Sequence, residues 1–447
     1  MAKTVAFATL GCKVNQYETE GLAEQFARRG YDIVPFGGPA DVYVVNTCTV
    51  THIGDKKSRQ LIRRARRANP AAFIVATGCY AQVAPDEVEA VGADLVVGTR
   101  GREHLAELVD ERLGRRDGPQ RAVAEFDAAC VFEELPISRT AGRARAYIKV
   151  QEGCRDFCTY CIVPHARGPL RSRPPERVLE EAARLVAHGY VEIVLTGTHL
   201  GAWGRDLAGT PPLADLVSRV AEVPGLLRLR LSSIEPLEIT PALVGLMASS
   251  AVICPHLHIP LQSGDDEVLR RMGRRYTTRE YALLVEHARS RIRDLAVTTD
   301  VMVGFPGETE EQFARSLAFV RRTAFSGLHV FKYSPRRGTP AAAFPAQVPA
   351  AVKEKRSDAL LALDGDLRQA FASRYVGRTV EVLVEEVRGG RAAGLTGNYL
   401  RVSFPGNEGM IGRLQKVRLL RTEEGSLTGA VGSQAEASGG KDTDTDQ

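Results

Sequence analysis

Three stretches of the chain share one pattern: Thr4 to Cys12 reads TVAFATLGC, Asp41 to Cys48 reads DVYVVNTC, and Ala72 to Cys79 reads AFIVATGC. Each is a short β-branched apolar run of the kind buried on both faces of a parallel sheet, and each stops at a cysteine just past the predicted strand. Between them, Tyr17 to Arg29 and Lys56 to Ala68 carry good helix formers, with Gly30 and Pro70 just beyond their ends. Strand and helix alternating in this way predict a doubly wound parallel sheet whose strand ends share one edge. Cys12, Cys48 and Cys79 are therefore expected to converge although more than 30 residues separate neighbours. One such cysteine reads as a small apolar filler, but three at matching positions read as a three-thiolate site. Glu103 to Asp117 is the expected last helix of this unit, residues 1–117, and residues 118–143 read as a linker. Cys130, within that linker, has no partner at ligand spacing.

A second trio lies in Gly153 to Pro164, GCRDFCTYCIVP, where Cys154, Cys158 and Cys161 are spaced by four and then three. Short returns of this length bring successive sulfurs to different corners of one iron-sulfur cuboid. A ferredoxin-type centre takes four cysteines, so three suggest an iron left open to an outside ligand. A zinc loop would complete four protein ligands, and none follows within a knuckle's length. Phe157 and Tyr160, between the cysteines, either shield such a cluster from water or pack a barrel rim.

Residues 144–372 continue with strand candidates at Arg145 to Gln151, Val191 to Thr196, Leu226 to Ser232, His256 to Gln262, Ala296 to Val303 and Leu328 to Tyr333. Helical stretches such as Pro175 to His188, Thr240 to Ala248, Thr277 to Arg293 and Thr309 to Arg322 intervene. Repeated strand-helix units close toward a partial or complete β/α barrel, with the cysteine loop leaving its first strand at the face where chemistry sits. Loops at the same face carry Thr196, Gly197, Ser232, Glu235, Gln262, Asp300 and Gly304. His256 and His258 alternate along one strand and read as core or rim packing before ligation. Cys254 reads as a buried thiol.

From about Arg374 short alternating strands are separated by glycine turns, which predicts a small antiparallel β-barrel over residues 374–435. Between Val376 and Arg421 eight Lys or Arg stand against four Glu. Tyr399, Arg401 and Phe404 have the composition of a base-stacking surface, although a plain capping barrel fits as well. Residues 436–447 are polar and read as a disordered tail. The helix after Cys48 carries KKSRQLIRRARR, seven basic residues in twelve. Arg63, Arg64 and Arg67 in that stripe belong either to a solvated face or to one that holds RNA phosphates.

Eight cysteines in a chain of 447 residues with no signal-like start and no apolar run of membrane length point to a cytoplasmic protein. In a reducing compartment they indicate metal or catalysis before disulfides. The net charge of +5 is modest and says little about nucleic acid.

The C-x3-C-x2-C run resembles that of radical S-adenosylmethionine (SAM) enzymes. TLGCKVNQYET at Thr9 to Thr19, VNTCTV at Val45 to Val50 and ATGCYAQ at Ala76 to Gln82 are similar to the amino-terminal domain of methylthiotransferases. The carboxyl-terminal module resembles the TRAM domain of RNA-modifying enzymes. This resemblance implies an auxiliary [4Fe-4S] cluster on Cys12, Cys48 and Cys79, and a radical SAM [4Fe-4S] cluster on Cys154, Cys158 and Cys161. It further implies that the barrel loops named above face SAM or substrate. TLGCKVNQYET and CRDFCTYCIVPHARG look most like the branch that modifies N6-threonylcarbamoyladenosine beside the tRNA anticodon. The isopentenyladenosine and ribosomal-protein branches usually differ at Lys13 to Tyr17, and a nonenzymatic RNA-binding iron-sulfur redox sensor is the reading from another class. Implied partners are tRNA and an electron donor such as flavodoxin or ferredoxin, with no membrane and no DNA.

Overall fold

The computed structural model describes residues 2–113, 118–127, 130–138 and 143–431. Its first unit runs β1 (Thr4–Thr9), α1 (Lys13–Arg28), β2 (Asp32–Val34), β3 (Val42–Thr47), α2 (His52–Ala68), β4 (Phe73–Gly78), α3 (Cys79–Val83), α4 (Pro85–Glu89), β5 (Leu95–Val97), α5 (Leu105–Arg112) and β6 (Gln120–Ala122). The sheet has the order β2-β1-β3-β4-β5-β6, and every pairing within it is parallel. Along β3, Val42 and Val44 pack with Tyr17, Leu22 and Phe26 of α1, while Tyr43 and Val45 pack with Ile62 and Ala65 of α2. Burial on both faces is why these strands carry unbroken apolar runs.

Two expectations change here. The segment read as a linker supplies β6, and its Glu133, Leu135 and Ile137 are buried. An edge strand pairs on one side only, so Gln-Arg-Ala serves without an apolar signature. The expected helix from Glu103 is one turn at Arg102–His104 followed by α5, and residues 114–117 lie outside the described residues.

The second unit is an incomplete barrel. It runs β7 (Ala146–Glu152), α6 (Val163–Arg167), β8 (Arg171–Ser172), α7 (Pro175–Ala187), β9 (Glu192–Gly197), α8 (Leu213–Ala221), β10 (Arg228–Leu231), α9 (Pro241–Ser249), β11 (His256–His258), α10 (Asp266–Met272), α11 (Thr278–Arg291), β12 (Ala296–Val303), α12 (Glu310–Thr323), β13 (Gly327–Lys332) and α13 (Ala350–Ser373). One sheet has the order β10-β9-β7-β8 and the next β11-β12-β13; isolated parallel bridges Leu229 to Ile253 and Ser233 to His258 join them. The predicted strand from His256 to Gln262 is continuous only as far as His258, and Gln262 pairs again with Val301 as an isolated parallel bridge.

The third unit is a closed barrel of β14 (Thr379–Arg388), β15 (Arg391–Thr396), β16 (Arg401–Pro405), β17 (Leu414–Glu423) and β18 (Ser426–Val431), in the order β14-β15-β16-β18-β17. Phe404, read from sequence as exposed, is fully buried in its core, because alternation along β16 turns Val402 and Phe404 inward and Arg401 out. The tail expected over 436–447 lies outside the described residues, and no helix among them is long and apolar enough to cross a membrane.

The units are joined by buried charge. Glu18 on α1 pairs with Arg102 at 2.8 Å, with Lys149 of β7 at 3.2 Å and with Arg167 of α6, while Glu152 pairs with Lys149 at 3.0 Å and Arg167 at 2.7 Å. On the other side, Arg228 and Arg230 of β10 donate to the backbone carbonyls of Leu395, Glu381, Gly397 and Thr396 in the small barrel. Fully buried cations that meet carboxylates and carbonyls leave few alternative dockings for the three units.

Candidate active site

The sheet edge gathers the first cysteine trio. Cys12 caps the start of α1, Cys48 follows β3 directly, and Cys79 opens α3. Asn15 ties the loops together by donating to the carbonyls of Leu10 at 2.7 Å and Thr47 at 3.0 Å. Gly78, with φ +93°, permits the turn into Cys79; a Cβ there would stand 2.3 Å from Asn46 Oδ1. Arg167 Nε donates to Cys79 Sγ at 3.1 Å. Burial pushes the Cys79 thiol up to about 12 against that cation, and burial raises Cys48 as well.

The second trio leaves the end of β7. Gly153, with φ +79°, turns the chain where a Cβ would lie 1.8 Å from the carbonyl oxygen of Pro169, so only glycine fits. Thr159 pins the loop by donating its N–H to Met272 at 2.9 Å and accepting from Ala341 at 2.8 Å. Cys154 Sγ lies 3.4 Å from His199 Nδ1, and Arg274, paired with Glu235, reaches Cys158 Sγ at 3.5 Å. Burial lifts Cys161 to about 12. Tyr160 packs against Phe305 and Met272, whereas Phe157 is 59% exposed at the rim beside His165.

The donor sets fit iron-sulfur cuboids with one open corner. Each trio offers three soft sulfurs and a guanidinium against one of them, which suits an anionic cluster. The remaining cysteines stand apart: Cys130 Sγ bonds Asp127, and Cys254 is buried beside Arg230 and Glu192.

A cavity of about 570 Å³ separates the first trio from the barrel strands. Cys12, Lys13 and Cys48 form one wall, and Thr196, Ser232 and His258 contribute to the other. Strand alternation aims these residues into one lumen, with Asp300 and Thr298 on β12 two positions apart and His329 opposite Asp300 in register. A second cavity of about 160 Å³ holds Cys161 and Gln262, and it shares Val50, Thr51, Asp300 and Phe331 with the first. Cys12 and Cys48 of the first trio and Cys161 of the second therefore face adjoining voids. Asp300 accepts from His258 Nε2 at 3.1 Å and His329 Nδ1 at 3.2 Å, and these imidazoles hold its carboxyl well below the usual range although burial opposes this. His256 Nε2 and His258 Nδ1 meet Thr298 Oγ1 at 3.0 and 2.9 Å, and burial keeps His256 neutral.

Of the loop residues read from sequence, Thr196, Gly197, Ser232 and Asp300 line the larger cavity, and Gln262 and Asp300 line the smaller. Glu235 lines a third hollow of about 150 Å³ with Cys158 and Asp156. Gly304 is held away from these cavities, its N–H donated to Glu308 at 2.6 Å and its Cα packed against Lys353. Arg63, Arg64 and Arg67 are exposed on α2, whose Arg59 and Arg66 are occupied by Glu87 and Asp94. Arg401 is exposed and paired with Glu386. Tyr399 departs from the expected outer surface. With φ +70° it turns inward, stacks on His256 at 4.5 Å and lines the large cavity beneath Arg230.

Sequence reasoning missed Lys13, His329 and Arg167 as site residues and assigned His258 to packing. The alternation of His256 and His258 carried the signal, since polar residues at every second position of a barrel strand face a lumen.

Residues 148–320 match the Radical SAM superfamily, residues 4–98 the Uncharacterized protein family UPF0004, and residues 373–431 the TRAM domain. The threonylcarbamoyladenosine tRNA methylthiotransferase MtaB of Bacillus subtilis is 47% identical, over 94% of this chain and 94% of its own length. Its namesake in Thermotoga maritima is 40% identical, covering 95% and 96%. A tRNA-2-methylthio-N(6)-dimethylallyladenosine synthase of Moorella thermoacetica is 37% identical, covering 96% and 98%. Among solved structures, the radical SAM methyltransferase TsrM of Kitasatospora setae aligns with a TM-score of 0.56 at 18% identity, over 76% of this chain and 77% of its own, a likeness of fold. With cysteines of both trios facing adjoining cavities and relatives this similar along nearly the whole chain, the protein belongs to the radical SAM methylthiotransferase family, whose cofactors are SAM and [4Fe-4S] clusters.

Proposed function

We propose that this protein is a tRNA methylthiotransferase that converts N6-threonylcarbamoyladenosine, the base 3' of the anticodon, to its 2-methylthio derivative. The observation that carries the reading is the cavity of about 570 Å³ walled by Cys12 and Cys48 on one side and by the barrel strands on the other. Its size suits a modified base, since ligand pockets span roughly 300–1,000 Å³. The 47% identity to an enzyme named for threonylcarbamoyladenosine, against 37% to one named for the dimethylallyl base, favours the first substrate.

Cys12, Cys48 and Cys79 would hold one cluster, and Cys154, Cys158 and Cys161 the other, at which SAM would bind. SAM and the clusters supply radical and sulfur chemistry for an aromatic C2–H too strong and unpolarised for acid-base removal. The chain's own part is to fix the base between two sites, which converts a collision into an oriented approach. Phe331 and Val50 give both cavities an apolar border, while Arg167 and Arg274 offset negative charge on the sulfurs. Asp300, held between His258 and His329, presents a fixed carboxylate to both cavities. The exposed arginines of α2 would grip tRNA phosphates. The electron donor would be a flavodoxin or ferredoxin, and the setting the cytoplasm.

The test is anaerobic turnover of fully loaded protein with SAM, a reductant and an anticodon stem-loop carrying N6-threonylcarbamoyladenosine. The expected result is 5'-deoxyadenosine together with a methylthiolated base by nucleoside mass spectrometry. Conversion of only the dimethylallyl base or of a ribosomal protein would move the substrate assignment. Absence of any 5'-deoxyadenosine would instead favour a redox sensor.

A further inference from the structure

The large cavity contains a lysine that no carboxylate pairs with among the described residues. Lys13, the residue after Cys12, lines it, and among the described residues no carboxylate pairs with this side chain. Its charged neighbours are already matched: Arg145 pairs with Glu385 at 2.7 Å and Arg230 with Glu192 at 2.8 Å. Those arginines add positive potential around Lys13, and the carboxylate of Asp300 in the same cavity is already held by His258 and His329. The same wall contains two further unsatisfied groups. Among the described residues Ser232 Oγ and His256 Nδ1 have no hydrogen-bond partner, and each residue is only 4% exposed. His256 is held in place by Tyr399 on its face and Thr298 at its other nitrogen, so Nδ1 cannot turn to another partner.

A confined cation and two orphaned polar atoms around one void are costly unless a ligand completes them. The ligand they call for is anionic at one point and hydrogen-bonding beside it. A threonylcarbamoyl substituent has that pattern, with a free carboxylate and a hydroxyl on the same short group. A dimethylallyl substituent is apolar and would leave all three unpaired.

We propose that Lys13 receives the threonyl carboxylate, with Ser232 and His256 beside it, and that this contact selects the threonylcarbamoyl base over one with an apolar N6 substituent. This rests on the substrate reading given above. Lys13 is thus a specificity-determining residue, placed by the turn that also presents Cys12.

The experiment compares anticodon stem-loops that carry N6-threonylcarbamoyladenosine either as the free acid or as its neutral methyl amide. With wild-type holoenzyme, kcat/KM is expected to favour the acid on the order of 10- to 100-fold, the worth of a hydrogen bond to a charged group. Equilibrium binding without SAM should favour it in the same direction. In Lys13→Met the acid-to-amide ratio should collapse toward unity in both assays, and Lys13→Arg should restore part of it. Iron content is measured in each variant, and the binding assay reads the ratio whether or not the neighbouring cluster is fully loaded. Wild-type protein that converts acid and amide equally overturns this inference and leaves the substrate assignment standing. So does a Lys13→Met variant that keeps the wild-type ratio. Protein that converts no threonylcarbamoyl substrate at all overturns both.

Discussion

Arg167 Nε donates to Cys79 Sγ at 3.1 Å, so a side chain from the helix just after the second cysteine trio is held against the last member of the first. The same guanidinium reaches Glu18, Glu152 and Asn15, which makes it the point where the sheet edge, the barrel and the cysteine site meet.

Removing that cation should therefore act on folding and on the first trio together. Arg167→Met leaves buried Glu18 and Glu152 short of a partner, and breaking a buried pair from one side costs about 3–5 kcal/mol. We expect a clearly lower unfolding temperature and preferential loss of iron from the Cys12 site. Thermal unfolding and iron analysis on the same preparation check this, with Arg167→Lys intermediate in both.

The trios should separate by function. Each cuboid contributes about four irons, so single Cys→Ala changes in either trio should lower a full load of about eight toward four. Cys48→Ala should still yield 5'-deoxyadenosine from SAM but no methylthiolated base. Cys158→Ala should yield neither. A Cys48→Ala protein with normal product would remove the first trio from the reaction.

Acid should loosen the seam between the first two units. Glu152 is fully buried, which works to raise its carboxyl, but Lys149 and Arg167 hold it down at about 2. That lies below an unfolded glutamate at about 4.3, so the unfolded chain takes up the proton first. The stabilisation is complete above about 4.3 and is lost as the pH falls toward 2. Unfolding temperature should accordingly hold level down to about pH 5 and drop below it. In Glu152→Gln that drop should be shallower, on a lower baseline.

Grip and base recognition should come apart on mutation. Arg63, Arg64 and Arg67 face solvent, so changing all three to Glu should weaken tRNA binding and reduce the salt slope of the affinity by about 2 to 3. Tyr399 faces the cavity, so Tyr399→Ala should lower turnover while leaving that slope unchanged. Filter binding across a salt series, alongside steady-state kinetics, distinguishes the two.

How far the chain could be read in advance differs from residue to residue. The convergence of Cys12, Cys48 and Cys79 was legible because a parallel strand-helix unit delivers every strand end to one edge, whatever packs outside it. The second trio was legible because its three ligands lie within eight residues and a short loop has few ways to present them. The linker that became β6 was not legible, since an edge strand needs backbone pairing and little apolar side chain. Nor was the direction of Tyr399: its neighbours in sequence mark a glycine turn, and its inward course depends on His256 and Arg230, more than 140 residues earlier. Local periodicity and spacing thus determined the strands, the two thiol trios and the order of the units. Only the tertiary structure decided which polar groups share a void and which of them lack partners. The burial and electrostatic matching of a side chain depend on what remote segments bring against it, so the want of a carboxylate partner for Lys13 among the described residues emerges only when three units close around it.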